Sequence, residues 1–191
     1  MYVVRLPTVG WIYDIYHMFW LTKFFKAPKT IGSIAPSSNS LGHLMVKNLP
    51  FNAKTLELGP GTGAITTHIT AKLSDPSLLT CAESDSQLAA ICQNKFPNIT
   101  VLNQDIQQIL NSNHSFDAII SGIPFAAMKP KHRNQLFHLI HQRLTPGGTF
   151  TMFQYSMLTR QELRNIFGKL TTDFTLFNLP PAFVFTCRKQ Q

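Results

Sequence analysis

The 191-residue sequence predicts an α/β fold: a seven-stranded, mostly parallel sheet with an antiparallel last strand, helices on both faces and further helices at the N-terminus. Three observations predict it. From residue 55 onward, short apolar runs alternate with stretches of helical periodicity, the pattern of a parallel sheet wrapped by crossover helices. A glycine-rich turn follows the first of these runs directly and opens a helix. Near the C-terminus two apolar runs are joined only by Asn178-Leu179-Pro180-Pro181, too short a link for a parallel crossover, so they pair antiparallel.

Taken in order, the chain opens with an N-terminal segment, residues 1–30, ahead of a main domain at 31–191. Its stretch 9–25, VGWIYDIYHMFWLTKFF, is apolar and aromatic but is broken by Asp14, His17 and Lys23. Spanning a bilayer takes roughly 20 apolar residues, so this reads as an interfacial helix rather than a span. No small-residue cleavage site follows it, which argues against a signal peptide. Strands are predicted at 55–58, 78–83, 99–102, 116–121 and 149–154, with helices at 62–73, 86–96, 104–110 and 131–144 between them. The last of these helices carries its stripe at Leu136, Leu139, Ile140 and Leu144, and Pro146-Gly147-Gly148 breaks it. A helix at 159–169 then leads to the runs 174–177 and 182–187.

Composition narrows the function classes. An apolar fraction of 44% with 14% charged residues is globular, and the mean hydropathy of +0.01 is high for a soluble protein. The formal net charge of +8 favours polyanions, either nucleic acid or an anionic membrane. Three cysteines without ligand spacing suggest neither a disulfide framework nor a zinc site, so a reducing cytosol and no metal are expected.

The chemistry begins at Glu57-Leu58-Gly59-Pro60-Gly61-Thr62-Gly63. Glycines there let a backbone turn tightly and present N–H groups, at a helix N-terminus, to a ligand. Gly59, Gly61 and Ala64 also satisfy the dinucleotide spacing, which leaves a nicotinamide cofactor open at this step. Glu83 ends the second strand, where an acid hydrogen-bonds ribose hydroxyls in nucleotide-binding α/β folds. Asp105 follows the third, and Asp85 is placed to cap the next helix. Ligands in open α/β sheets bind beyond the carboxyl ends of the strands. Ser121, Gly122, Ile123, Pro124 and Phe125, after the fourth strand, are therefore expected to line an acceptor pocket.

The run Glu57 to Gly63 resembles motif I of Class I S-adenosylmethionine-dependent methyltransferases, which have a Rossmann-like fold. Together with KAPKTIGSIAPSS, SGIPF and LPPAFVF it makes nearly the whole chain similar to the bacterial phospholipid N-methyltransferases. That resemblance implies S-adenosylmethionine as donor, held by Ser33, Glu57, Gly59, Gly61, Gly63, Glu83 and Asp105. Glu57 would face its ammonium group and Asp105 its adenine, and Ala35 to Ser38 would pack over the cofactor, although Ser38 also suits a helix N-cap. It implies phosphatidylethanolamine and its methylated forms as acceptors, with Ser121 to Phe125 as the catalytic turn, and a cytoplasmic enzyme attached peripherally to the inner membrane. Residues 10–29, with Trp11, Trp20 and Lys23, Lys26 and Lys29, suit an anionic surface.

Ser121 stands where base-modifying amino methyltransferases carry Asn, so RNA adenine methylation is the less favoured alternative. A non-catalytic cofactor-binding protein at the membrane is the other. No proton acceptor stands out among Tyr16, His17, His132 and Tyr155.

Overall fold

The computed structural model describes residues 38–190. The described chain opens with α1 (Asn39–Val46), capped by Ser38, whose Oγ accepts from the Leu41 N–H at 3.2 Å. Then follow β1 (Thr55–Leu58), α2 (Ala64–Lys72), β2 (Leu79–Glu83), α3 (Ser86–Lys95), β3 (Thr100–Asn103), α4 (Ile106–Leu110) and β4 (Phe116–Ser121). After these come α5 (Pro130–Arg143), β5 (Leu144–Gln154), α6 (Arg160–Phe167), β6 (Lys169–Thr175) and β7 (Ala182–Arg188). Asp85 caps α3 as expected, accepting from the Gln87 and Leu88 N–H groups at 2.8 and 3.0 Å.

The strands form one sheet in the order β3-β2-β1-β4-β5-β7-β6. β1 to β5 are parallel, and β7 runs antiparallel to both neighbours, as the short final link requires. The order reverses between β1 and β4, which opens a crevice at the carboxyl ends of those strands.

Alternation along the strands divides the core. Leu56 and Leu58 of β1 join Phe137, Ile140, Phe150, Leu163 and Phe167 on the face covered by α4, α5 and α6. The opposite face packs Ile65 and Ile69 of α2, Cys92 of α3 and Leu41 and Met45 of α1 against Cys81 and Ile120. Gly42 brings α1 hard against α2: a Cβ there would meet the His68 ring at 2.1 Å.

Most boundaries fall within two residues of the sequence reading, and two strands start five residues earlier than it placed them. β5 begins at Leu144, not 149, because Thr145 to Gly148 loop out opposite Asp117 rather than ending the strand. Thr145 Oγ1 donates to Asp117 Oδ1 at 3.0 Å across this bulge. α6 stops at Phe167, where Gly168 takes φ +73°. β6 then starts at once and ends at Thr175, so most of the apolar run 174–177 is strand end and loop. As an edge strand, β6 is half solvated and reads as polar.

Candidate functional site

The glycine loop lies at the crevice. Gly59, Gly61 and Gly63 all have positive φ, at +70°, +56° and +82°, a region closed to most side chains. The loop is tied down by Gly59 N–H to Ala82 O and Gly63 N–H to Pro60 O, each 2.9 Å. At Gly63 a Cβ would strike the Phe96 ring at 2.4 Å. At Gly61 it would meet nothing within 4 Å. The loop thus presents bare backbone to open space at Gly61, the arrangement a ligand lying against the main chain requires.

The three acids occupy different environments. Glu57 is only 1% exposed, on the α2 face of β1. Its Oε2 accepts from Thr66 Oγ1 at 2.7 Å and from Cys81 Sγ at 3.4 Å. Burial raises its carboxyl from 4.5 to about 7, despite the lowering effect of both hydrogen bonds. Glu83 bridges two backbone N–H groups, Gly61 to Oε2 and Asp85 to Oε1, each at 3.1 Å. It is a brace for the glycine loop as well as an acid at the end of β2. Asp105 is exposed and caps α4, its Oδ1 accepting from the Gln107 N–H at 2.7 Å.

The turn after β4 touches the glycine loop. A Cβ on Gly59 would lie 3.0 Å from Ile123 Cγ1, and one on Gly122 would lie 3.5 Å from Gly59 O. Ser121 is fully buried; its Oγ donates to Leu58 O at 3.4 Å and accepts from the Ile123 N–H at 3.2 Å. Its hydroxyl therefore shapes the turn. Phe125 departs from the expectation that it lines the pocket. Its ring is 0% exposed and packs at 4.9 Å from Phe137 and 6.2 Å from Phe150, because the short 3-10 turn Phe125–Ala127 rolls it into the core.

Sequence reasoning missed Gln154, at the end of β5. Its Nε2 donates to Ile123 O at 3.0 Å and its Oε1 accepts from the Ala126 N–H at 3.2 Å, clamping the turn from both sides. Only its position, a polar residue ending a buried strand, hinted at this. Asn178 was missed as well: its Oδ1 accepts from the Ser38 N–H at 3.2 Å and its Nδ2 donates to Pro180 O at 2.7 Å. Burial raises the Tyr155 hydroxyl above its ordinary value, opposed by a hydrogen bond with Asn178. His132 is exposed in the first turn of α5. Ser33, Tyr16, His17, Ala35 and residues 10–29, expected to meet an anionic membrane, lie outside the described residues.

Among the described residues no group of His, Cys, Asp and Glu is placed to hold a metal ion, and no helix is long and apolar enough to cross a membrane.

Residues 55–148 match the family described as methyltransferase domain. The chain is 32% identical over 180 residues to the ornithine lipid N-methyltransferase of Singulisphaera acidiphila, covering 88% of this chain and 94% of that protein. Among solved structures it resembles the 1,6-didemethyltoxoflavin-N1-methyltransferase of Burkholderia thailandensis, with a TM-score of 0.67, 13% identity and coverage of 100% and 94%. It also resembles the N-methyltransferase NodS of Bradyrhizobium japonicum, with a TM-score of 0.63, 13% identity and coverage of 92% and 100%. Both of those structures contain S-adenosylhomocysteine. At such identity the likeness establishes the fold.

Proposed function

On the premise that the chain belongs to the Class I S-adenosylmethionine-dependent methyltransferases, we propose that it methylates the headgroup amine of a membrane lipid. S-adenosylmethionine is its cofactor. The acceptor we favour is phosphatidylethanolamine with its partly methylated forms; the ornithine lipid headgroup carries the same chemistry, a primary ammonium near a bilayer surface. The observation that carries this reading is the similarity, over nearly the full length of both chains, to a lipid N-methyltransferase.

When bound, S-adenosylmethionine supplies a methyl group already activated on a sulfonium centre. The chain's part is then mainly positioning. In this reading Gly59, Gly61 and Gly63 let the cofactor lie against backbone, Glu83 meets the ribose and Asp105 the adenine, and Ser33 contributes from the N-terminal side. Glu57, behind the loop, faces the ammonium group, whose positive charge would draw its raised carboxyl toward the ionised form. Residues Ser121 to Pro124 orient the acceptor nitrogen through their backbone, held in register by Gln154, and Phe125 supports the turn from the core. The acceptor must arrive neutral. With its hydroxyl raised above the ordinary value, Tyr155 is a hydrogen-bond donor at neutral pH rather than a base, and water takes the proton. Residues 10–29 attach the enzyme peripherally to the cytoplasmic face of the membrane.

The test is lipid mass spectrometry of a bacterium that makes phosphatidylethanolamine but no methylated phospholipid, before and after expression of the chain. Mono-, di- or trimethylated phosphatidylethanolamine is the expected product. Purified protein with labelled S-adenosylmethionine and, separately, phosphatidylethanolamine vesicles, ornithine-lipid vesicles and RNA assigns the acceptor. Label entering RNA alone would overturn the lipid reading.

A further inference from the structure

We infer that the loop between β6 and β7, with the turn after β5, is a membrane-seating rim that presses the mouth of the site onto an anionic bilayer. The inference rests on the lipid-amine reading above and concerns residues other than those of the N-terminal segment.

Topology sets the location. β6 is parallel to β1 and β4, so the loop leaving Thr175 and returning at Ala182 emerges at the sheet edge that carries the glycine loop and the turn after β4. Gln154, which clamps that turn, pairs with Phe183 of β7. The chain after Gln154, 155–159, leaves at the same edge.

This edge is where apolar side chains meet solvent. Leu176, Phe177 and Leu179 are 70%, 82% and 83% exposed, and Leu158 is 60% exposed. With Phe174 and Met157 they make six of the eight exposed large hydrophobic residues among the described residues; Phe51 and Ile91 lie elsewhere. Concentration of such surface on one rim marks an interaction site.

The loop is built to leave water. Residues 176–181 contain no charge. The polar side chain among them, Asn178, is only 9% exposed and is spent on Pro180 O and the Ser38 N–H. The Phe177 N–H donates to Thr175 Oγ1 at 3.1 Å. With these groups satisfied inside the protein, and two prolines that bring no N–H, immersion strands fewer polar groups, which lowers the cost of burying the tip.

Charge identifies the occupant. On the β4 to β7 half of the edge, Lys129 and Lys131 are exposed at the start of α5, and Arg160 is partly exposed at the start of α6. The acids of that half are already paired: Glu162 with Arg133 at 2.7 Å, and Asp173 with Lys47 at 2.8 Å. The unpaired acids Asp85 and Asp105 follow β2 and β3, on the other half. Apolar tips flanked by uncompensated cations suit acyl chains beneath anionic headgroups. Seated this way, the rim brings lipid amines to the 121–125 turn without lifting them from the bilayer.

The test uses the full chain. Its three native cysteines are buried, so a single added cysteine takes an environment-sensitive fluorophore selectively. Labels go at Phe177→Cys and, as a reference at the opposite end of β1, Phe51→Cys. With phosphatidylglycerol vesicles the label at 177 should shift to the blue and be quenched by lipid-borne nitroxide, while the label at 51 stays unchanged. In the double variant Phe177→Ser/Leu179→Ser, methylation of amine lipid in vesicles should fall by about tenfold. Its S-adenosylmethionine binding, and its activity on a short-chain soluble amine lipid, should stay at the parent level. Lipid methylation with a silent label at 177 would overturn the rim and leave the lipid-amine reading standing; insertion without methylation of any lipid would do the reverse. A response at 177 that follows protein concentration in the absence of vesicles would assign the rim to a second copy of the chain and overturn the inference.

Discussion

Replacing Glu57 by Gln tests whether a carboxyl is held protonated behind the glycine loop. Burial raises this group from 4.5 to about 7. The folded state therefore binds the proton more tightly than the unfolded state, and stability falls as pH rises from 4.5 to 7 and is level above it. A shift of this size corresponds to about 3 kcal/mol at 1.36 kcal/mol per pH unit. Glutamine keeps an oxygen that accepts from Thr66 and Cys81 but never ionises. In the ligand-free protein the stability difference, variant minus parent, should thus grow in the variant's favour with pH and level off near pH 7, with a total change of about 3 kcal/mol. Urea denaturation at half-unit steps from pH 4 to 8 measures it. Cys92, lowered chiefly by its hydrogen bond with Cys81, titrates in the same range, and its charge is one of the smaller causes of the Glu57 shift, so its titration enters the difference as a minor part. A difference that stays flat would refute the reasoning, because it would mean that the Glu57 carboxyl ionises in the fold as easily as in the unfolded chain.

Three further outcomes are expected. Gly61→Val forces a branched side chain to φ +56° and fills the open space at the loop, costing about 1–3 kcal/mol in backbone strain; cofactor binding by calorimetry should be lost while circular dichroism still reports a folded protein. Glu83→Ala should weaken S-adenosylmethionine binding by an order of magnitude or more, since one hydrogen bond to a charged group is worth about 1.5–3 kcal/mol. Because Glu83 also braces Gly61, hydrogen exchange at the glycine loop should rise in the same variant. Phe125→Ala should destabilise the fold by about 3–5 kcal/mol, read by chemical denaturation, because it empties a fully buried aromatic site.

The layout of the sheet was legible in the sequence because parallel strands are buried on both faces and therefore read as apolar runs. β4 was placed to the residue, and all four of its last residues are buried. β6 was displaced because an edge strand with one wet face reads as polar, while the aromatic residues that drew attention belong largely to its loop. The glycine loop was legible because its conformation excludes most side chains. Gln154 was not, since its role comes from Ile123 and Ala126, which only the fold brings to it. Phe125 was misread for a related reason: adjacency in sequence to the turn says nothing about which way a 3-10 turn rolls its ring. The contact of Asn178 with Ser38 spans 140 positions and left no local trace.

The reversal of β7 has a consequence for how such a protein can change. The connections that carry the glycine loop, Glu83 and Asp105 each lead into a helix that must cross back over the sheet, so their lengths are tied to packing on both sides. The β6–β7 connection joins adjacent antiparallel strands and needs no helix to cross back; apart from the tether of Asn178 to Ser38 and Tyr155 it is held mainly by its own closure, for which doubling the length costs only about 0.6 kcal/mol. Sequence drift can therefore lengthen this hairpin tip or change its exposed side chains around Asn178 while the nucleotide-facing turns stay as they are. Related chains with one donor and different acceptors should accordingly vary most in the six residues between Thr175 and Ala182.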